Sequence, residues 1–106
     1  MTISKRTYQR HDVALSVEIL HEGQSYPGTT RNLSLGGMFI LCAAEIPFGA
    51  LLHVTFTIAT SRRPIIAEAV VRWTEPGVGV GVQFTGLRAG EVWALQQLLA
   101  GHYGPA

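Results

Sequence analysis

Apolar residues recur with a period of two along most of this chain, in short runs separated by turn signals. Leu52, Val54, Phe56 and Ile58 alternate with His53, Thr55 and Thr57. This is the pattern of a strand with one dry face and one wet face. Val13, Leu15, Val17 and Ile19 alternate in the same way with Ala14, Ser16, Glu18 and Leu20. Ile65, Ala67, Ala69, Val71 and Trp73 share one face of a further strand, opposite Glu68, Val70 and Arg72. A last strand sets Val78, Val80, Val82 and Phe84 against Gly79, Gly81 and Gln83. Two more segments, Ser25 to Asn32 with a bend at Pro27-Gly28 and Met38 to Cys42, complete the set. Glu22-Gly23, Gly36-Gly37, Pro47 with Gly49, Ser61 to Pro64 and Pro76-Gly77 mark the turns between them.

The period changes only near the C-terminus. Val92, Leu95 and Leu99 stand at i, i+3 and i+7 with Leu98 beside them, which predicts one amphipathic helix stopped by Gly101. Short strands, tight turns and one terminal helix predict an all-β (mainly β) fold, a six-stranded antiparallel β-barrel with a C-terminal α-helix. Closure would also remove exposed apolar sheet edges. The 106 residues suit a single domain, with a flexible basic N-terminal arm at 1–12 and the barrel with its helix at 13–101. At 47% hydrophobic and 14% charged, the chain is globular in composition.

Several classes of function are disfavoured. Met1 to Arg10 has no apolar core of a signal peptide, and no run reaches the ~20 apolar residues of a membrane span, so a cytoplasmic location is expected without membrane insertion. The single cysteine, Cys42, allows no intramolecular disulfide and reads as a small hydrophobe at a strand end. The carboxylates Asp12, Glu18, Glu22, Glu45, Glu68, Glu75 and Glu91 are scattered, and the histidines His11, His21, His53 and His102 show no metal-ligand spacing. Gly77-Val78-Gly79-Val80-Gly81 fails as a phosphate loop, because Val82 stands where a third glycine belongs and the run lies inside a strand. Glycines on one strand face instead let something pack close against it. The chain is expected not to be an enzyme and to need no metal or cofactor. Its net charge of +1, with Lys5, Arg6 and Arg10 ahead of the first acidic residue, suits a small anion better than DNA or RNA.

Two segments break the strand pattern. In Lys5-Arg6-Thr7-Tyr8-Gln9-Arg10 the two arginines stand four apart. They would share a face if helical and span roughly 13 Å if extended. Guanidinium grips phosphate, reads guanine O6 and N7 bidentately and stacks on flat rings, although such a pair read by itself is a weak signal and reads first as a solvated charged arm. In Arg31-Asn32-Leu33-Ser34-Leu35-Gly36-Gly37, Asn32 offers an acceptor and a donor and Ser34 a hydroxyl. Their i, i+2 spacing points both the same way in extended backbone. Gly37 could supply positive φ or let a flat ligand approach. The bland alternative is a turn that satisfies its own backbone.

Together these segments resemble the PilZ domain family of bacterial cyclic di-GMP receptors, marked by R-x-x-x-R in an N-terminal arm and D/N-x-S-x-x-G downstream. Here the motifs read Arg6/Arg10 and Asn32/Ser34/Gly37. Asn32 to Ile40, Val70-Val71-Arg72-Trp73 and Gly79 to Phe84 are similar to the family's barrel strands, so the likeness runs from residue 5 to residue 100. The resemblance implies cyclic di-GMP on the outside of the barrel, clasped by the arm. Arg6 and Arg10 would meet guanine edges and phosphates, Asn32 and Ser34 would hydrogen-bond a guanine, and Gly37 would leave room. It implies a bacterial second-messenger receptor or adaptor, monomeric or a ligand-linked homodimer, that acts through an effector protein. The alternative is a nucleotide-independent protein-interaction module with the same fold. Asn32 stands where the family often has Asp, so a doubly accepting carboxylate is missing. Lys5 precedes Arg6 at the position associated with binding a stacked ligand pair. Trp73, Met38 and Phe39 are expected in the core, whereas Trp93, off the helical stripe beside Gln96 and Gln97, is expected to be exposed.

Overall fold

The computed structural model describes residues 9–103. Six strands run in chain order: β1 Ser16–His21, β2 Gln24–Leu33, β3 Gly37–Leu41, β4 Leu51–Phe56, β5 Ile65–Glu75 and β6 Gly79–Gly86. They close into one antiparallel barrel in the order β1-β2-β3-β6-β5-β4. A helix, α1 Ala89–Tyr103, follows. The closed, all-β architecture and its terminal helix match the sequence reading.

The alternation explains the core. Val17 and Ile19 of β1, Met38 and Ile40 of β3, Leu52, Val54 and Phe56 of β4, and Val80 and Val82 of β6 all point inward and are buried. Ala94, Leu95 and Leu99 of α1 join the same cluster. The helix opens on the Arg88 N–H, which donates to Glu91 Oε1 at 2.9 Å and so is satisfied by the first turn. Contrary to expectation, α1 does not stop at Gly101 but runs on to Tyr103. A single glycine costs a helix only about 1 kcal/mol, too little to end one already docked on a core.

The β1–β2 hairpin closes on two residues, Glu22 (φ 52°) and Gly23 (φ 77°), between the paired His21 and Gln24. Two consecutive left-handed residues give a turn whose twist matches that of the strands. Strand β1 begins at Ser16 rather than at Val13. Buried Thr30 of β2 explains the late start: its hydroxyl accepts the Leu15 N–H at 2.8 Å and donates to the Val13 carbonyl. Its backbone N–H donates to Leu15 O at 2.9 Å. Residues 13–15 are therefore held by Thr30, not by a neighbouring ladder.

Candidate functional site

Two bulges prepare the outer surface. In β2 the pairing steps from Thr30↔Ile40 to Asn32↔Phe39, which leaves Arg31 as the extra residue. In β5 it steps from Val71↔Val82 to Trp73↔Gly81, which leaves Arg72 extra. A bulge turns the residue after it to the other face. Trp73 therefore leaves the inward face of Ala67, Ala69 and Val71 and stands 59% exposed, which corrects the expectation that it packs in the core. Phe39 is buried as expected, but on the other side of the sheet from the barrel interior. It is 3% exposed, yet it faces outward between inward Met38 and Ile40 and is covered from outside.

The registers now align Asn32, Phe39, Gly81 and Trp73 as one row across β2, β3, β6 and β5. Gly81 keeps this row low: a Cβ there would lie 3.1 Å from Trp73 Cβ and 3.5 Å from the Phe39 ring. The close packing expected of the β6 glycines is thus with Phe39 and Trp73. Above the row, the Arg31 guanidinium lies 3.9 Å from the centre of the Phe39 ring. Its Nη2 reaches across to Glu75 Oε2 at 3.1 Å. The Trp73 indole N–H donates to the same oxygen at 3.2 Å. The Arg31 hydrogen bond, followed by that of Trp73, holds the Glu75 carboxyl below its ordinary range. Arg72 Nε donates to Gln83 Oε1 at 3.0 Å on the adjoining row.

These groups line a surface trough of about 680 Å³, together with Arg10, Ser34, Gly36 and Gly37. That volume is within the range of small-molecule sites. The arm enters it in register. His11 forms an antiparallel bridge with Leu33 through two backbone hydrogen bonds of 2.9 Å. That antiparallel register sets Arg10 opposite Ser34, and the Arg10 side chain reaches diagonally so that its Nη1 donates to Asn32 Oδ1 at 3.1 Å. The end of the arm is thus an extension of the sheet at the rim of the trough.

Three comparisons place this geometry among known proteins. The PilZ domain model matches residues 4–101. The chain belongs to the PilZ domain family. Among solved structures this PilZ domain is similar to the Bacillus subtilis inhibitor of motility (MotI/DgrA), with 26% identity and a TM-score of 0.81 over 95% of this chain and 52% of that one. It therefore spans about half the length of that protein. It shares its fold with the PilZ domain of CeSA from a cellulose-synthesizing bacterium, at 17% identity and a TM-score of 0.68, covering 91% of this chain and 99% of that one. A comparison with curated proteins gives no match. The family associates the domain with cyclic di-GMP signalling and is regulatory, and no catalytic family is indicated. No helix among the described residues is long and apolar enough to cross a membrane.

Of the residues singled out in sequence, this PilZ domain brings Arg10, Asn32, Ser34 and Gly37 to one trough, whereas Lys5 and Arg6 lie outside the described residues. Ser34 does not point with Asn32 as an extended chain would require. Strand β2 ends at Leu33, and the Ser34 hydroxyl turns in to accept the N–H groups of Gly36 at 3.0 Å and Gly37 at 3.2 Å. Gly37 does not adopt the positive φ considered for it. A Cβ there would stand 2.0 Å from the Val82 carbonyl oxygen, so the glycine makes room for β6. Arg31, Arg72, Trp73, Glu75 and Gln83 were missed as site residues. The available signal was the doubled apolar pair Val70-Val71 ahead of Arg72-Trp73, a break in alternation at the bulge. Outside the site, burial pushes the Cys42 thiol up, in keeping with a small hydrophobe packed at the core edge.

Proposed function

We propose that this protein is a cyclic di-GMP receptor that passes the signal to a partner protein and catalyses nothing itself. The observation that carries this reading is the 3.1 Å hydrogen bond from Arg10 to Asn32, which joins the two motif segments across 22 positions at the rim of an arginine- and aromatic-lined trough. The ligand has two phosphates and two guanines. Arg10, with Lys5 and Arg6 of the arm, meets the phosphates and guanine edges as charge-assisted donors. The Asn32 carbonyl accepts from a guanine N–H, and exposed Trp73 gives a base an aromatic surface. Ser34 and Gly37 contribute by shaping the turn under Asn32. The change in the surface around Arg10 and Asn32 on ligand binding is the event a partner reads. Monomers, or homodimers linked by a ligand pair, both fit the composition of the arm.

Isothermal calorimetry with cyclic di-GMP, using GTP and cyclic di-AMP as controls, tests the proposal. Selective saturation at one or two ligands per chain is expected, and absence of heat at high micromolar ligand overturns it. A second reading, a protein-interaction module indifferent to nucleotide, is favoured by one observation: the Ser34 hydroxyl and Gly37 are both accounted for by the fold itself. A thermal-shift assay separates the two, since a ligand that binds only the native state must raise Tm.

A further inference from the structure

Arg31 is not one of the residues that define the family's two motifs, yet its guanidinium is held in place at the trough. Two contacts fix its guanidinium, and a third steadies one of the partners. One face lies on the Phe39 ring, 3.9 Å from the centroid. One edge donates to Glu75 Oε2 at 3.1 Å. The carboxylate that receives it is itself held by the Trp73 indole at 3.2 Å. Its remaining surface is exposed toward the trough that Arg10, Asn32 and Trp73 also line. A surface ion pair between two long side chains contributes little to stability, so such an arrangement is poorly explained by folding alone. The β2 bulge makes the residue available, because Arg31 is the extra residue whose side chain clears the ladder. Gly81 on β6 keeps the row between β2 and β5 low beside it.

A planar guanidinium with one face on an aromatic ring presents a second flat, cationic face, and unpaired bases stack on such planes. We infer that Arg31 is a base-stacking residue of the ligand site: one guanine of the bound nucleotide lies on its outward face, making a sandwich of Phe39, guanidinium and base. Glu75 is its positioning residue, setting the plane rather than touching the base. This rests on the cyclic di-GMP reading above. Stacking is indifferent to hydrogen-bond pattern, so Arg31 supplies affinity, while selectivity for guanine is left to Arg10 and Asn32. The arrangement also has a sign that simple electrostatics lacks. If Glu75 were only a negative charge near a dianion, removing it would tighten binding. As a brace, its removal weakens binding.

The experiment is calorimetric titration of cyclic di-GMP into wild type, R31A, R31K, E75A and E75Q, with circular dichroism and Tm confirming that each folds. Wild type binds. R31A is expected to lose on the order of tenfold or more in Kd, the scale of one base stack. R31K keeps the charge without the plane and is expected to lose nearly as much, and it carries the test should R31A fail to fold. E75A weakens binding, and E75Q, which still accepts the Arg31 N–H, recovers part of the loss. During titration the Arg31 Nε–H resonance moves upfield under the ring current of the base. Binding by R31A or R31K equal to wild type overturns the stacking role while leaving the receptor reading intact. Tighter binding by E75A overturns the brace. No binding by wild type removes the receptor reading, and this inference with it.

Discussion

Arg10 and Asn32 meet side chain to side chain, the guanidinium Nη1 donating to the amide oxygen at 3.1 Å. The contact spans 22 positions and runs diagonally across the antiparallel backbone bridge of His11 to Leu33, whose partners each directly follow one of the two residues in sequence. Replacing Asn32 by Asp converts it into a charge-assisted pair and gives guanine a carboxylate that accepts from two N–H groups. Hydrogen bonds to charged groups exceed neutral ones by about 1 kcal/mol, so N32D is expected to bind cyclic di-GMP several-fold more tightly. R10A is expected to lose about 1–3 kcal/mol, the scale of one bidentate guanine contact. Calorimetry reads both, and equal affinities across all three proteins would exclude this pair from the site.

Glu75 titrates below an ordinary glutamate because Arg31, then Trp73, donates to its ionised form. A carboxyl with a depressed folded pKa contributes stability that is fully present above its unfolded pKa. That contribution is lost as pH falls through the folded pKa. The Arg31–Glu75 contact is therefore expected to persist into mildly acidic solution and to open only below the usual carboxylate range. Carbon-detected NMR titration of the Glu75 carboxyl checks this. R31A should move its midpoint up toward that of an unperturbed glutamate.

Thr30 is 2% exposed, and its hydroxyl serves both the Leu15 N–H and the Val13 carbonyl. Thr30→Val keeps the shape and strands two backbone groups, so a loss of about 2 kcal/mol is expected in chemical denaturation. Thr30→Ser retains the hydroxyl and should recover most of it. Residues 13–15 lead directly from the arm into β1, so T30V should also weaken cyclic di-GMP binding beyond its effect on the folded fraction, and T30S should not.

Period-two alternation made the barrel legible, because each strand buries one face and closure leaves no edge to disguise the pattern. Val54, Val71 and Val82 stand where alternation puts them. The site was legible only where it is written in contiguous residues. Arg10, Asn32, Ser34 and Gly37 could be picked out, whereas Trp73 and Glu75 could not, since they meet Arg31 only through register across four strands, and the bulge that frees Arg31 leaves no mark in its segment. Trp73 misled because alternation was carried through Arg72, and a bulge at that residue reverses the face of everything after it. Ser34 misled in the opposite sense. Its spacing from Asn32 implied extended backbone, but the strand had already ended, and the hydroxyl had two nearby N–H groups to accept.

Gly37 separates a structural from a ligand-binding explanation of the second motif. Its pro-chiral hydrogen faces β6, and a methyl group there would overlap the Val82 carbonyl oxygen at 2.0 Å. That oxygen belongs to the backbone of a central strand, so it cannot swing aside as a flexible side chain would. Strands β3 and β6 would have to part where Gly37 pairs with Gln83. Gly37→Ala is therefore expected to destabilise the fold by about 3 kcal/mol, the upper end for forced overpacking. Gly90 gives the control: a Cβ there meets nothing within 4 Å, and Gly90→Ala, in the first turn of α1, should leave stability unchanged or slightly raised. Thermal melts of the two variants decide the matter. If G37A melts with wild type yet binds no nucleotide, the glycine is there for the ligand; if it melts far lower, the motif's last residue is conditioned by the barrel, and loss of binding in G37A is a consequence of unfolding.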